Sequence, residues 1–463
     1  MNGVIMEKNR SSFTGKLGFV LAAAGSAVGL GNLWRFPYLA AQHGGGIFLL
    51  VYLILSVTFG FSLMIAEIAI GRKTGLSAIG AFRKLNKKCS FIGYLAAIVP
   101  ALILPYYSVI GGWVIKYLTV FCIGNADVAA QDGYFEGFIG NTWQSLLFFA
   151  IFIGITAVVV LFGVEKGVEK VSKIMMPVLV VLSVGIAAYV CISNAIKGEW
   201  DGLIYYLKPD FSHFSIMTIV TAMGQLFYSM SLAMGIMITY GSYMKKDVSL
   251  ESSSHQIEFF DMGIAFLAGL MIVPSVVSYS GIEGLNKGPG LMFVTLPKVF
   301  NDMGPITGNI IGAVFFVLVL FAALTSSISL METVVSIIQD KFHIERKVTC
   351  LIVLGGACVI GLPSALGFGV WSGFTPLGMD ILTFFDFATN SILMPIVAIL
   401  TCIVVCYIIK PKAIVEEVEV SGKFKFRKLF TVMIYAAPFL LLVILVFSIF
   451  EAFGITFGGL LKF

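Results

Sequence analysis

The chain has 463 residues, 59% of them hydrophobic and 12% charged, with a net charge of +5. Soluble domains carry about a quarter charged residues, so the composition excludes a soluble enzyme or nucleic-acid-binding module. Apolar runs of membrane length recur from end to end without a long polar stretch between them. They predict an all-α integral membrane protein with a single transmembrane domain over 1–463.

Eleven transmembrane helices are expected, at 17–41, 45–71, 91–121, 144–163, 172–194, 214–242, 257–280, 306–338, 348–366, 381–409 and 429–449. The first run lacks a cleavage-site pattern and is followed by another span, so it is read as retained and not as a signal peptide. The seven cysteines show no metal-binding spacing and are read as reduced packing residues. None of His43, His213, His255 and His343 falls in a motif pairing a nucleophile with a base, so no enzyme is expected and no catalytic residue is assigned.

Span one holds the sequence Ala-Gly-Ser-Ala-Val-Gly-Leu-Gly-Asn-Leu-Trp-Arg-Phe-Pro from Ala24 to Pro37. Three glycines, a proline, an amide and an arginine interrupt an apolar helix where each unpaired backbone group costs several kcal/mol. A break around Val28 to Gly31 is expected, flanked by half-helices whose amides meet an anion and whose carbonyls meet a cation. Gly25 and Gly29 also fit a close-packing pattern, but packing needs neither Asn32 nor Arg35.

Loop charge sets the orientation. Residues 71–90 carry Arg72, Lys73, Arg83, Lys84, Lys87 and Lys88 with no acid, whereas 122–143 carry Asp127, Asp132 and Glu136 with no base. The basic stretches, including Lys166, Lys170 and Lys173 where span four passes into span five, are read as cytoplasmic. The N-terminus is then cytoplasmic and the C-terminus external.

Span six repeats the anomaly: Gln225 to Gly235 contains Ser229, Ser231 and Gly235 near mid-helix. Breaks five spans apart predict a five-plus-five inverted repeat with discontinuous helices one and six, over about 10–195 and 213–409, with 429–449 as an extra span. Ionisable residues inside spans cost roughly 2.5 to 3.5 kcal/mol each near a helix centre. They are Glu67, placed to accept from the amides freed in span one, then Asp261, Glu332 and Asp386; Asp386 is placed to pair with Arg35, and Glu332 acquires no role. In span eight Thr325 and Ser326 put adjacent hydroxyls into an apolar helix, oxygen donors suited to a hard cation.

With these residues in place, the chain resembles the neurotransmitter:sodium symporter family, particularly its eleven-span bacterial amino-acid transporters. Gly25 to Pro37, Glu67 to Arg72, Pro105-Tyr-Tyr107, the span-six break and Leu324-Thr-Ser-Ser327 occur in the family's order. The resemblance covers the chain from Arg10 to about Asp386. It implies one sodium site at the Ala27 carbonyl, Asn32, Ser229 and Asp261. A second is implied at the carbonyls of Gly25, Val28 and Ala322 with Thr325 and Ser326. The implied substrate site comprises Ala27, Gly29, Gly31, Ile103, Tyr107 and Tyr228, with Ser229, Ser231, Ala233, Met234, Ser326 and Leu330. Arg35 and Asp386 look like an external gate, Arg10 with Asp340 an internal latch near Tyr243, and Glu67 a support for unwound helix.

The expected function is sodium-coupled uptake of a neutral, hydrophobic L-amino acid, aliphatic or aromatic, by alternating access in the bacterial inner membrane. Two sodium ions and no organic cofactor are expected. Partners are the amino acid and the bilayer, with no nucleic acid; a homodimer is left open. Two departures bear on mechanism. Asp261 stands where many members have asparagine, implying chloride independence, and Ala233 stands where glycine is frequent, adding a methyl near the side-chain pocket. Proton coupling on the same scaffold, or a non-transporting amino-acid sensor, remain the alternatives.

Overall fold

Peptide groups in hydrocarbon must satisfy one another locally, and for a single apolar segment the helix is the conformation that does so. The computed structural model describes residues 12–281 and 290–452, and among these there is no β-strand. Among the described residues nine helices are long and apolar enough to cross a membrane as continuous spans: Gly46–Thr74, Lys87–Cys122, Thr142–Leu161, Val164–Lys197, Leu250–Ser280, Pro305–Phe342, Arg346–Leu366, Ile381–Ile408 and Arg427–Phe450. Span one is Lys16–Ala27 and Gly31–Gln42, bent by 45° at its break. Span six is Ile216–Ser229 and Ile236–Tyr243, with Met230 to Gly235 unwound between them. Together they make eleven spans, and the two interrupted ones lie five apart, as an inverted repeat requires.

Most ends fall within a few residues of the expected ones. The starts of spans five and seven are the exceptions: span seven begins at Leu250 rather than near 257, and span five corrects the sequence reading. It starts at Val164 rather than near 172, so Lys166 and Lys170 lie within its first turns instead of in a loop. The chain reverses directly after span four because Gly163 takes φ +88°. Gly167 then lets the new turn approach the Val159 carbonyl, which a Cβ would meet at 2.1 Å.

Spans three and eight form the most extensive helix pair, the second half of span six packs on span two, and span one lies against spans five, seven and eight. Span one is therefore enclosed: Val28, Leu30, Asn32 and Leu33 are fully buried. Its break opens onto protein, where freed peptide groups can find partners.

Candidate functional site

The first half of span one ends as Val28 turns extended, with φ −78° and ψ 100°. Three of the freed groups then find side chains. Gly29 N–H donates to Asn32 Oδ1 over 3.1 Å, and Leu30 N–H donates to the Tyr107 hydroxyl over 3.1 Å. The Gly31 carbonyl accepts from Gln225 Nε2 at 2.8 Å. A Cβ on Gly29 would meet Ser326 Oγ at 2.4 Å and the Tyr107 hydroxyl at 2.9 Å, so only glycine permits this approach.

Span six breaks by a different device. Ser231, Ala233 and Gly235 take φ of +54°, +60° and +70°, so two L-residues sit in the left-handed region at a cost on the order of 1–3 kcal/mol each. The surroundings hold them there. Ala233 N–H donates to Glu67 Oε1 at 2.7 Å, and Ser231 Oγ donates to the Ser26 carbonyl at 2.9 Å, joining the two breaks. Glu67 thus supports the break in span six, not the one in span one to which its place in the sequence assigned it. The register of span two against span six decides this.

Around Asp261, fully buried in span seven, four elements converge. Asn32 Nδ2 donates to Asp261 Oδ1 at 2.7 Å and to its carbonyl at 3.1 Å. Tyr52 donates to Oδ2 at 2.8 Å, and Ser229 Oγ donates to the same oxygen at 3.3 Å. All these donors are neutral, and among the described residues no lysine, arginine or histidine pairs with this carboxylate. Tyr52 was missed from sequence; its signal was a hydroxyl inside an apolar span, and Gln225 carried the same signal as an amide.

On the other side of the break, Ser326 Oγ lies 3.4 Å from the Gly25 carbonyl, 3.1 Å from that of Ser26 and 3.4 Å from that of Val28. Thr325 Oγ1 donates to the carbonyls of Phe321 at 2.9 Å and Ala322 at 3.1 Å. The five residues assigned to a second cation site are brought together here. Among the described residues there is no cluster of three or more His, Cys, Asp or Glu. Hydroxyls, carbonyls and one carboxylate are donors for a hard cation, not for a transition metal.

A narrow cavity lies between the two groups. Its walls include Ala27, Gly29, Gly31, Ile103, Tyr107, Tyr228, Ser231, Met234, Ser326 and Leu330, all expected, and Ser26 and Ile236, which were not. Ser229 and Ala233 do not line it. Ser229 turns to Tyr52, 2.8 Å away, and Asp261, while Ala233 serves the break through its backbone.

Toward the acidic-loop end, Arg35 places its guanidinium carbon 5.4 Å from the centroid of the Tyr228 ring, over the cavity, and hydrogen-bonds Tyr38. Asp386 is engaged instead by Asn390 Nδ2 at 2.5 Å and the Tyr106 hydroxyl at 3.2 Å. The expected direct pairing of Arg35 with Asp386 is not formed. The two interact through space, while Tyr106 and Asn390 both bond Oδ1 of Asp386.

At the basic-loop end, Phe13 N–H donates to the Tyr243 carbonyl at 3.2 Å, and Glu169 accepts the Thr14 amide at 2.9 Å. Asp340 accepts the Ser77 amide at 2.7 Å; its expected partner Arg10 lies outside the described residues. Glu332 gains a role: fully buried in span eight, it pairs with Arg346 and accepts from the Tyr243 hydroxyl at 2.9 Å. Arg346 also donates to the Val160 carbonyl at 2.6 Å, so spans four, six, eight and nine meet at one ion pair.

The chain matches the model of the Sodium:neurotransmitter symporter family over residues 10–125 and 138–460. It is 31% identical over 460 residues to an uncharacterized sodium-dependent transporter of Haemophilus influenzae, covering 96% of this chain and 99% of that one. It is 33% identical over 450 residues to the uncharacterized sodium-dependent transporter YhdH of Bacillus subtilis, covering 95% and 97%. Among solved structures it is similar to MhsT in complex with L-phenylalanine, with 34% identity and a TM-score of 0.87, over 95% of this chain and 100% of that one.

Proposed function

The chain belongs to the sodium:neurotransmitter symporter family, and on that premise we propose that it takes up a neutral, hydrophobic L-amino acid with sodium by alternating access, without chloride. The observation that carries this reading is the Asp261 carboxylate, buried among neutral donors with no cationic partner among the described residues. An uncompensated anion is costly at low dielectric. A sodium ion held by Asp261, Asn32, Ser229 and the Ala27 carbonyl would balance it. The fixed charge supplies what an added chloride supplies where this site is neutral.

In this reading a second sodium is held by Gly25, Val28, Ala322, Thr325 and Ser326. The substrate carboxylate meets the first sodium, the amides of Gly29 to Gly31 and the Tyr107 hydroxyl. Its ammonium meets carbonyls at the two breaks, and its side chain lies among Ile103, Tyr228, Met234, Ile236 and Leu330. That part of the cavity carries no charge to pair with an acidic or basic side chain. The phenylalanine bound by MhsT supports an apolar substrate.

Arg35 stacked over Tyr228 closes the external side, with Asp386 nearby; Asp340, Tyr243 and Arg10 close the internal one. The basic end is the cytoplasmic one, with the N-terminus inside and the C-terminus outside, in a bacterial inner membrane. The repeats span about 10–195 and 213–409 within one transmembrane domain. Coupling follows from differential binding: sodium favours the outward-facing state, and the amino acid lowers the barrier to the inward one. At 100 mV each charge moved contributes about 2.3 kcal/mol. Two ions give about 4.6 kcal/mol, an accumulation on the order of 10³.

Uptake of radiolabelled leucine and phenylalanine into proteoliposomes tests this. An inward sodium gradient drives uptake of at least one of them, and gluconate in place of chloride leaves it unchanged. Uptake driven equally by a pH gradient without sodium, or abolished in gluconate, overturns the reading.

A further inference from the structure

At the basic end, away from the cation sites, a groove runs between the starts of spans one and seven and the segment leading into span eleven. Its floor is apolar. Leu17 and Leu21 come from span one, and Phe259 and Phe260 from span seven, with Leu17 64% and Phe259 72% exposed by the protein itself. Its rim is basic: Lys423 and Lys425 line it, and Arg427 and Lys428 follow directly as span eleven begins. Across the groove Lys16 donates to Ser252 Oγ at 2.8 Å.

The one carboxylate on the lining, Glu251, is already engaged, accepting the Lys425 and Phe426 amides at 3.1 and 3.2 Å. It fixes the loop through these amides, and among the described residues no ion pair engages the Lys423 or Lys425 ammonium. His255 is stacked on Phe61 at 4.2 Å and turns Nδ1 to Glu258, leaving Nε2 without a partner. Apolar surface running from the interface into the bilayer, under a rim of basic groups, is complementary to one kind of molecule. Basic pockets between the ends of transmembrane helices hold anionic headgroups, each Lys or Arg near the surface contributing about 1 kcal/mol.

We propose that this groove binds an anionic phospholipid of the adjoining leaflet, its phosphate between Lys423 and Lys425 and an acyl chain on Leu17, Leu21 and Phe259. A free phosphate would use the rim alone; the floor calls for the chain.

The test is native mass spectrometry of the full-length protein, delipidated and titrated with phosphatidylglycerol, phosphatidylcholine or inorganic phosphate. Phosphatidylglycerol is retained at least ten-fold more tightly than phosphatidylcholine, and millimolar phosphate does not displace it. The double variant Lys423→Gln/Lys425→Gln loses about thirty-fold in retention, at about 1 kcal/mol per group, while its sodium-dependent stabilisation is unchanged. Phe259→Ser weakens retention with the rim intact. Equal retention of the two lipids, displacement by phosphate, or unchanged retention in both variants overturns the proposal.

Discussion

Tyr52 donates its hydroxyl hydrogen to Asp261 Oδ2 over 2.8 Å and lies 2.8 Å from Ser229 Oγ, so one phenol joins spans two, six and seven beside a buried carboxylate. A hydrogen bond to a charged group contributes about 1.5–3 kcal/mol. Tyr52→Phe therefore lowers the thermal stability of the sodium-free protein and raises the sodium concentration needed for half-maximal uptake by about ten-fold or more. Unchanged values on both counts would remove Tyr52 from the site.

Glu67 is a test of what holds span six open. Its Oε1 takes the Ala233 amide, whereas its Oε2 has no partner, so an acceptor is needed and a charge is not. Glu67→Gln retains substrate binding within a few-fold. Glu67→Ala strands the amide at a cost of about 1–3 kcal/mol, and binding falls about ten- to hundred-fold. Equal losses in the two variants would show that the charge matters.

Two glycines separate close approach from helix propensity. Gly29→Ala brings a methyl against Ser326 and Tyr107, and overpacking of about 1–3 kcal/mol weakens binding about ten- to hundred-fold. Gly224→Ala, in span six with nothing within 4 Å of the new methyl, leaves binding unchanged. Scintillation proximity binding of a labelled amino acid compares them; loss in both would point to a general sensitivity of the broken helices.

The pair of Glu332 and Arg346 makes a stability prediction. Glu332 is fully buried, so Arg346→Ala leaves an uncompensated charge and costs about 3–5 kcal/mol. Adding Glu332→Gln removes that charge and recovers most of the loss in thermal unfolding. A double variant no more stable than Arg346→Ala would mean that the bonds of Arg346 to the Val160 carbonyl carry the effect.

How much of this was legible follows from the physics of each residue. The two breaks were, because Gly29, Asn32, Ser229 and Gly235 are costly in hydrocarbon unless the backbone around them has partners in protein. The cavity walls came from the family resemblance, since Ile103, Met234 and Leu330 look like any core residue. Pairings across spans were not legible. Glu67 went to the wrong break, and Arg35 was given Asp386 although Arg35 lies over Tyr228 and Asp386 bonds Tyr106 and Asn390. Rotational register sets such pairings, and apolar spans carry little periodicity from which to read it. Glu332 stayed without a role because its partner Arg346 reads as a loop cation until span nine brings it inward. The start of span five was displaced because Gly163 lets a helix begin where the lysines alone indicate a loop.

The most direct test of the central claim is a thermal-shift measurement of the purified protein against the twenty L-amino acids, in sodium and in potassium. Ligand binding to the folded state raises the melting temperature by mass action. The buried carboxylate and the uncharged cavity predict that one or more apolar amino acids stabilise the protein in sodium and none does so in potassium. Equal stabilisation in the two salts, or stabilisation only by charged amino acids, would contradict the account.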